Sequence, residues 1–136
     1  MFHFTLNHSS AATMSVLADP RFQRAARTAF WLACLFAIVM ALLPRPPQLP
    51  TDRLGDKVQH MIAFATLTSL AGLGFARELR WRTAERLSFL GAMVEVAQSF
   101  PALHRDCQFT DWVADTVVVV AVTLLLAWLL PAGEAS

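Results

Sequence analysis

The feature that most constrains this chain is the apolar run TVVVVAVTLLLAWLL, which is followed directly by Pro131. The apolar character extends back to residue 112, so the segment 112–130 is close to the ~20 residues that an α-helix needs to cross a bilayer. In hydrocarbon every backbone polar group must be bonded within its own segment, so such a run predicts a transmembrane helix. Three further segments have the same character, at 28–43, 58–75 and 84–100.

Composition supports a membrane protein over a soluble one. Of the 136 residues, 56% are hydrophobic and only 15% are charged, and a soluble domain of this size needs more polar surface to cover itself. The formal net charge of +1 argues against a nucleic-acid partner, which requires a concentrated basic face. We therefore predict an all-α fold: a membrane bundle of four transmembrane helices.

The predicted bundle occupies residues 21–131, with a tail at each end. Residues 1–20 are polar and unpatterned, which predicts a disordered tail, and Met14 is an alternative start. Residues 132–136 form a short C-terminal tail. A signal peptide is the rival interpretation of 21–43, but no small-x-small cleavage site follows, which favours an uncleaved first span.

Arginine counts predict the orientation of the spans. Arginines concentrate before the first span and between the second and third, at Arg21, Arg24, Arg27, Arg77, Arg80, Arg82 and Arg86. Two crossings separate these regions, so they share a side, and the positive-inside rule makes that side cytoplasmic. We expect a multi-pass protein of the bacterial inner membrane, with both termini inside and the connections 44–57 and 101–111 outside.

Three of the predicted helices carry polar pairs near the same, outer end. The pairs are Lys57 with His60, Glu95 with Gln98, and Asp111 with Asp115. Spacings of three and four place each pair on one helix face. At about 1.5 Å per residue, His60, Glu95 and Asp115 lie on the order of 6–8 Å below their helix ends. An ionisable group inside a span costs roughly 2.5–3.5 kcal/mol, so these side chains should turn inward and form a polar pocket open to the outer face.

Ordinary structural roles compete with this interpretation. Lys57 can extend to the lipid headgroups, His60 can bond between helices, and Asp111 can be the N-cap of the fourth span. Arg105 can pair with its neighbour Asp106. Glu95 and Asp115 lie deeper in their spans and favour a functional role.

Two segments resemble the VanZ-like family of small bacterial membrane proteins: DKVQHMIAFATL at 56–67 and EVAQSFPALHRDCQFTDWVAD at 95–115. The resemblance covers roughly 50–120. The family's polar positions correspond here to Asp56, Lys57, His60, Glu95, Gln98, Arg105, Asp111 and Asp115. Two positions depart from the family pattern, since many members have Asn at 115 and Gly at about 118, where this chain has Asp115 and Val118. The resemblance implies a link to teicoplanin resistance, without a settled biochemical activity.

Three functions are compatible with these residues. The first is binding of membrane lipids or lipid-linked envelope precursors, with Lys57 and Arg105 holding phosphate or carboxylate. The second is an intramembrane hydrolase or transferase that uses a divalent metal or His60 as a general base. The third is a structural membrane subunit, and a transporter is a distant fourth. The candidate catalytic residues are His60, Glu95 and Asp115, and the candidate ligand-binding residues are Asp56, Lys57, Gln98, Arg105 and Asp111.

Known sequence motifs do not choose between these functions. CxxC, HExxH, P-loop and GxGxxG patterns are absent, so no cofactor is indicated and a divalent metal stays open. Cys34 and Cys107 are expected to be free thiols. Neither Ser99 nor Cys107 lies in a nucleophile motif.

Overall fold

The computed structural model describes residues 8–75, 80–104 and 107–130, and this part of the chain is all-α. Five α-helices and two short 3₁₀ segments occur in it. In chain order they are α1 (His8–Ala18), α2 (Pro20–Leu42), a 3₁₀ segment (Pro50–Leu54), α3 (Asp56–Gly74), α4 (Arg80–Gln98), a second 3₁₀ segment (Pro101–Leu103) and α5 (Phe109–Leu129).

A helix covers most of each of the four apolar segments predicted from sequence. Helix α2 begins eight residues before its predicted start, because Asp19 caps it: the Asp19 carboxylate accepts a hydrogen bond from the backbone N–H of Arg21 at 2.8 Å, and Pro20 occupies the first turn. At the other end, the proline-rich stretch after Leu43 cannot continue the helix.

Part of the segment 1–20, which was predicted to be a disordered tail, is helical in the described part of the chain. Residues His8–Ala18 form α1, which contacts α2. The segment is short and lacks amphipathic periodicity, but it contains Ala, Met and Leu, which are strong helix formers. Residues 1–7 and 131–136 lie outside the described residues.

Two helices are long and apolar enough to cross a membrane, Pro20–Leu42 and Phe109–Leu129, as far as the described part of the chain shows. Their mean hydropathies are 1.9 and 2.2. Helices α3 and α4 are less apolar and do not qualify, because they carry the polar side chains from which the site was predicted. Arg80, Arg82 and Glu85 lower the hydropathy of α4 further.

Helix α3 is the centre of the bundle. It packs extensively against α2 on one side and α5 on the other, while α4 packs mainly on α5 and less on α3 and α2. The buried core runs through all four long helices and includes Phe30 and Cys34 of α2, Phe64 and Leu67 of α3, Leu87 of α4 and Val119 of α5.

One end of the bundle is held by arginine contacts to backbone carbonyls. The Arg27 side chain donates a 2.6 Å hydrogen bond to the carbonyl of Gly74, and its guanidinium lies over the ring of Phe75. Arg80, at the start of α4, donates to the carbonyl of Leu130, just past α5. These contacts leave the opposite end, where α3 and α5 begin and α4 finishes, for the polar residues.

Gly74 permits the close contact between α2 and α3. A Cβ at this position would lie 2.9 Å from the backbone nitrogen of Arg27 and 3.3 Å from the carbonyl carbon of Ala26. Backbone cannot move aside as a side chain can. We expect Gly74→Ala to lower the free energy of unfolding by about 1–3 kcal/mol, the usual cost of overpacking.

The matched control is Gly91→Ala, whose Cβ would meet only side-chain atoms of Phe64 and Trp112, at 3.3 and 3.4 Å. Thermal unfolding in detergent should place Gly74→Ala below Gly91→Ala. A midpoint for Gly74→Ala at or above that of the wild type would contradict the close approach of the two backbones.

Candidate functional site

The ends of three helices bring five ionisable side chains together. We call them the polar cluster: Lys57, His60, Glu95, Asp111 and Asp115. The first two lie in the first two turns of α3, Glu95 lies in the last turn of α4, and the two aspartates lie in the first two turns of α5. Because the helices run antiparallel in sequence order, these turns meet at one end of the bundle.

His60 is the centre of the cluster. Its Nδ1 lies 3.3 Å from Oδ2 of Asp115 and 4.0 Å from Oε1 of Glu95. Asp115 is 1% exposed and Glu95 6% exposed, so both carboxyl groups are removed from solvent. The sequence analysis predicted that His60, Glu95 and Asp115 would converge, and the distances confirm it.

The second oxygen of Asp115 is not satisfied by protein groups. Oδ1 is buried and has no hydrogen-bond partner within the described part of the chain. An unpaired buried polar atom costs ~1–3 kcal/mol, and more when the group is charged. The contact with His60 therefore compensates only half of this carboxyl group.

Glu95 is held by the connection that precedes α5. The backbone N–H of Gln108 donates to Oε2 of Glu95 at 3.1 Å, and the thiol of Cys107 also bonds to this carboxylate. Desolvation of the sulfur, this hydrogen bond and the negative charge of Glu95 raise the pKa of the Cys107 thiol, although the residue as a whole is exposed. Sequence analysis did not identify these two partners, because the chain folds back over α4 only in three dimensions.

Lys57 bridges α3 to α5 at the surface of the cluster. Its ammonium lies 3.1 Å from Oδ1 of Asp111 and 3.1 Å from the hydroxyl of Thr110. The lysine side chain is about half exposed, whereas that of Asp111 is 5% exposed. The Asp111 contact is an ion pair by distance but is not aligned as a hydrogen bond.

The N-cap role considered for Asp111 is wrong. Gln108 is the N-cap of α5, and Asp111 lies in the first turn, where its own N–H donates to the carbonyl of Gln108 at 2.8 Å. Its negative charge is still well placed, because carboxylates stabilise the first turn of a helix.

The remaining predicted site residues are not members of the polar cluster, or lie outside the described residues. Gln98 is buried, and its side-chain amide donates to the carbonyl of Ala41 at 2.9 Å, which ties α4 to the end of α2. Asp56 is exposed in the first turn of α3. Arg105 lies outside the described residues, as does its neighbour Asp106.

An apolar cavity of about 620 Å³ opens between α2 and α3 and reaches the cluster at His60. Its polar lining residues include Asp56 and Gln59 beside His60, at the cluster end. The rest of its wall is mainly apolar and extends along α3 to Leu67 and along α2 to Ala33. Site cavities of this kind, mostly apolar with a few convergent polar groups, are typical of ligand-binding proteins.

The polar cluster is not arranged as a metal site. Across residues 8–75, 80–104 and 107–130, no group of three His, Cys, Asp or Glu side chains has the geometry to hold a metal ion. The divalent-metal alternative therefore has no geometric support in that part of the molecule. The arrangement that is present, an imidazole with a carboxylate on Nδ1, can orient His60 so that Nε2 meets a bound group.

Comparison with known proteins does not identify a family: no family model, curated protein or solved structure matches the chain. The resemblance to the VanZ-like family stays a prediction from the two quoted segments.

The pairing of His60 with Asp115 can be tested by a double-mutant cycle. His60→Leu leaves the buried Asp115 without its partner, and we expect a loss of about 3–5 kcal/mol in the free energy of unfolding. The variant with both His60→Leu and Asp115→Leu should recover most of this loss, because the carboxyl group that lost its partner is removed as well. Unfolding in mixed micelles measures the free energy of unfolding of each single variant and of the double variant. Single costs that simply add in the double variant would contradict direct pairing.

Proposed function

We propose that this chain is a multi-pass protein of the bacterial inner membrane that binds a lipid or a lipid-linked envelope precursor through the polar cluster. The observation that carries the proposal is the junction of two features at His60: a buried cluster of ionisable groups and the end of a long apolar cavity. An amphiphile has the same two parts, a polar headgroup and an apolar chain.

The surface of the bundle supports a membrane location. Helices α2 and α5 keep only 17% of their most apolar stretches buried, which is a small share for a core helix of a soluble protein. Large side chains point outward instead; Leu32 is 64% exposed, Phe36 57% and Trp128 78%. Such a continuous apolar surface is rare on soluble monomers and suits lipid.

The proposal includes α3 and α4 among the helices that cross the membrane. Each has 19 residues, which at 1.5 Å per residue extends for about 28 Å, close to the ~30 Å thickness of the hydrocarbon core. Two ionisable groups near the cluster end, Glu95 and His60, are directed inward, as their burial shows. Polar side chains inside spans are expected to face the bundle interior in this way.

The orientation follows from the arginine distribution. The arginine-rich end, where Arg27 and Arg80 lie, is assigned to the cytoplasm by the positive-inside rule. The polar cluster is at the opposite end and so faces the outer leaflet. This side is where lipid-linked envelope precursors are used, and the VanZ-like resemblance adds a proposed link to glycopeptide resistance.

The cysteines of the chain provide a test of orientation. Cys107 is exposed at the cluster end, and Cys34 is buried in α2. We expect a membrane-impermeant maleimide to label Cys107 in cells whose outer barrier is opened but whose inner membrane is intact. The labelling is best carried out at mildly alkaline pH, because the raised pKa of the thiol leaves little thiolate at neutral pH.

Cys107→Ser is the matched control and should abolish this labelling. Labelling that appears only after the inner membrane is lysed would show that the cluster faces the cytoplasm.

Lys57 is the residue through which anionic headgroups are expected to bind. An ammonium has three N–H donors; one bonds to Thr110, while Asp111 is an ion-pair partner by distance. We expect Lys57→Ala to weaken binding of phosphatidylglycerol by about three- to tenfold, and Lys57→Arg to retain most of it. Native mass spectrometry of the protein with added lipid measures the ratio.

Arg82→Ala is the matched control, since it removes one exposed positive charge at the other end of the bundle. Equal weakening by Lys57→Ala and Arg82→Ala would indicate general electrostatic attraction and would contradict a headgroup site. Thermal unfolding of each variant shows whether the loss of the Asp111 ion pair has altered the fold.

An intramembrane hydrolase or transferase is the second candidate, and the contact between His60 and Asp115 favours it. A carboxylate on Nδ1 sets the imidazole to accept a proton at Nε2, which is the arrangement of a general base. This function requires that the bound lipid be changed. Recovery of intact lipid after prolonged incubation with the wild-type protein would count against it.

A further inference from the structure

The length and the lining of the cavity between α2 and α3 indicate which kind of ligand it can hold. We propose that it holds one acyl chain of a bilayer phospholipid, with the headgroup of that lipid at the polar cluster. The inference rests on the proposed membrane location and headgroup site, and it adds the part of the molecule that takes the apolar portion of the ligand.

The cavity exists because small side chains line α2 where it faces α3. Ala33, Ala37 and Ala41 recur every four residues and all line it, as does Ala63 of α3. Toward the Gly74 end, the ring of Phe30 on α2 packs edge-on against the ring of Phe75, just past α3, with ring centroids 5.5 Å apart. The two helices are therefore in tight contact at the Gly74 end and separated by a cavity toward the cluster.

The length of the cavity matches one leaflet. Its lining extends along α3 from Asp56 to Leu67, a rise of about 16 Å over eleven residues. Half of the hydrocarbon core is about 15 Å. The polar lining residues Asp56, Gln59 and His60 lie together at one end, where the headgroup of a lipid in that leaflet would be.

The proline-rich connection favours a chain over a partner helix. Its residues Pro46, Pro47 and Leu49 bound the cavity at the cluster end, where they would obstruct a continuous helix. An acyl chain is narrow and flexible and can enter from the side.

Photo-crosslinking tests the position of the chain. The protein is reconstituted in phosphatidylcholine vesicles that contain phosphatidylglycerol with a diazirine in one acyl chain, and cross-linked peptides are mapped by mass spectrometry. We expect cross-links on the cavity walls, 33–41 and 59–67, to exceed those on the exposed leucines of α5, Leu124 and Leu125, by about fivefold or more. Equal labelling of all exposed apolar surfaces would overturn the proposal.

Filling the cavity gives a second test. Ala63→Trp should reduce the cavity cross-links to the level of α5, and Ala37→Trp should do the same from the opposite wall if the first variant does not fold. The matched control is Ala121→Trp, on an exposed face of α5, which should leave the pattern unchanged. Persistence of the wild-type pattern in a folded cavity variant would overturn the proposal.

The third measurement uses the native thiol of Cys34, which lines the cavity. In a Cys107→Ser background, added phosphatidylglycerol should slow alkylation of Cys34 by N-ethylmaleimide in detergent by about fivefold. An unchanged rate would argue against occupancy, and protection that accompanies dimerisation without bound lipid would identify a second copy as the occupant.

These experiments distinguish a wrong acyl-chain position from a wrong headgroup site. If Lys57→Ala weakens lipid binding while the cavity cross-links are absent, the headgroup site stands and the acyl position is wrong. If the cavity cross-links are present and Lys57→Ala has no effect, the cavity stands and the proposed headgroup site is wrong.

Discussion

The structure depends on the cost of burying ionisable groups. His60, Glu95 and Asp115 come from three different helices, and the charged form of each would be strongly unfavourable if it were buried without a partner. Placing Asp115 and Glu95 at 3.3 and 4.0 Å from His60 lets the three helices compensate one another. This requirement determines which end of α3, α4 and α5 must meet and which face of each helix turns inward. Apolar packing alone is less selective, because hydrophobic burial is non-directional.

The contact between α2 and α3 differs between the two ends of the bundle. At the arginine-rich end, Gly74 lets the backbones of α2 and α3 touch, and Arg27 bonds across the contact. At the cluster end, alanines leave the same two helices separated, and the space becomes the cavity. Helices α2 and α3 are therefore tightly packed at one end and enclose the cavity at the other. Gln98 bonds to Ala41 near the open end, which limits how far α2 can move away.

Compensation within the cluster is incomplete, which bears on function. Lys57 is half exposed and still pairs with a buried aspartate, while Oδ1 of Asp115 has no protein partner in the described part of the chain. A purely structural polar network is most stable when every member is satisfied. The proposed ligand-linked role for His60 and Asp115 rests on the unsatisfied oxygen and the adjoining cavity.

The sequence by itself determined the helical character of the chain, the approximate bounds of four long helices and the convergence of the polar residues. These follow from local rules: apolar length, proline at the ends and spacings of three and four along a helix. It did not predict α1, because a short segment without amphipathic periodicity shows no clear helical pattern.

Only the tertiary structure decided the partners of the polar groups. Asp111 was considered as a cap and is an ion-pair partner of Lys57, Gln98 was assigned to the pocket and bonds to α2, and Gln108 with Cys107 holds Glu95. The cavity, too, is decided only by the tertiary structure. Its walls are ordinary apolar residues in sequence, several of them alanines, and they enclose a volume only because α2 and α3 pack side by side. Pairings and cavities depend on the distance between segments that are far apart along the chain, and no local pattern encodes that distance.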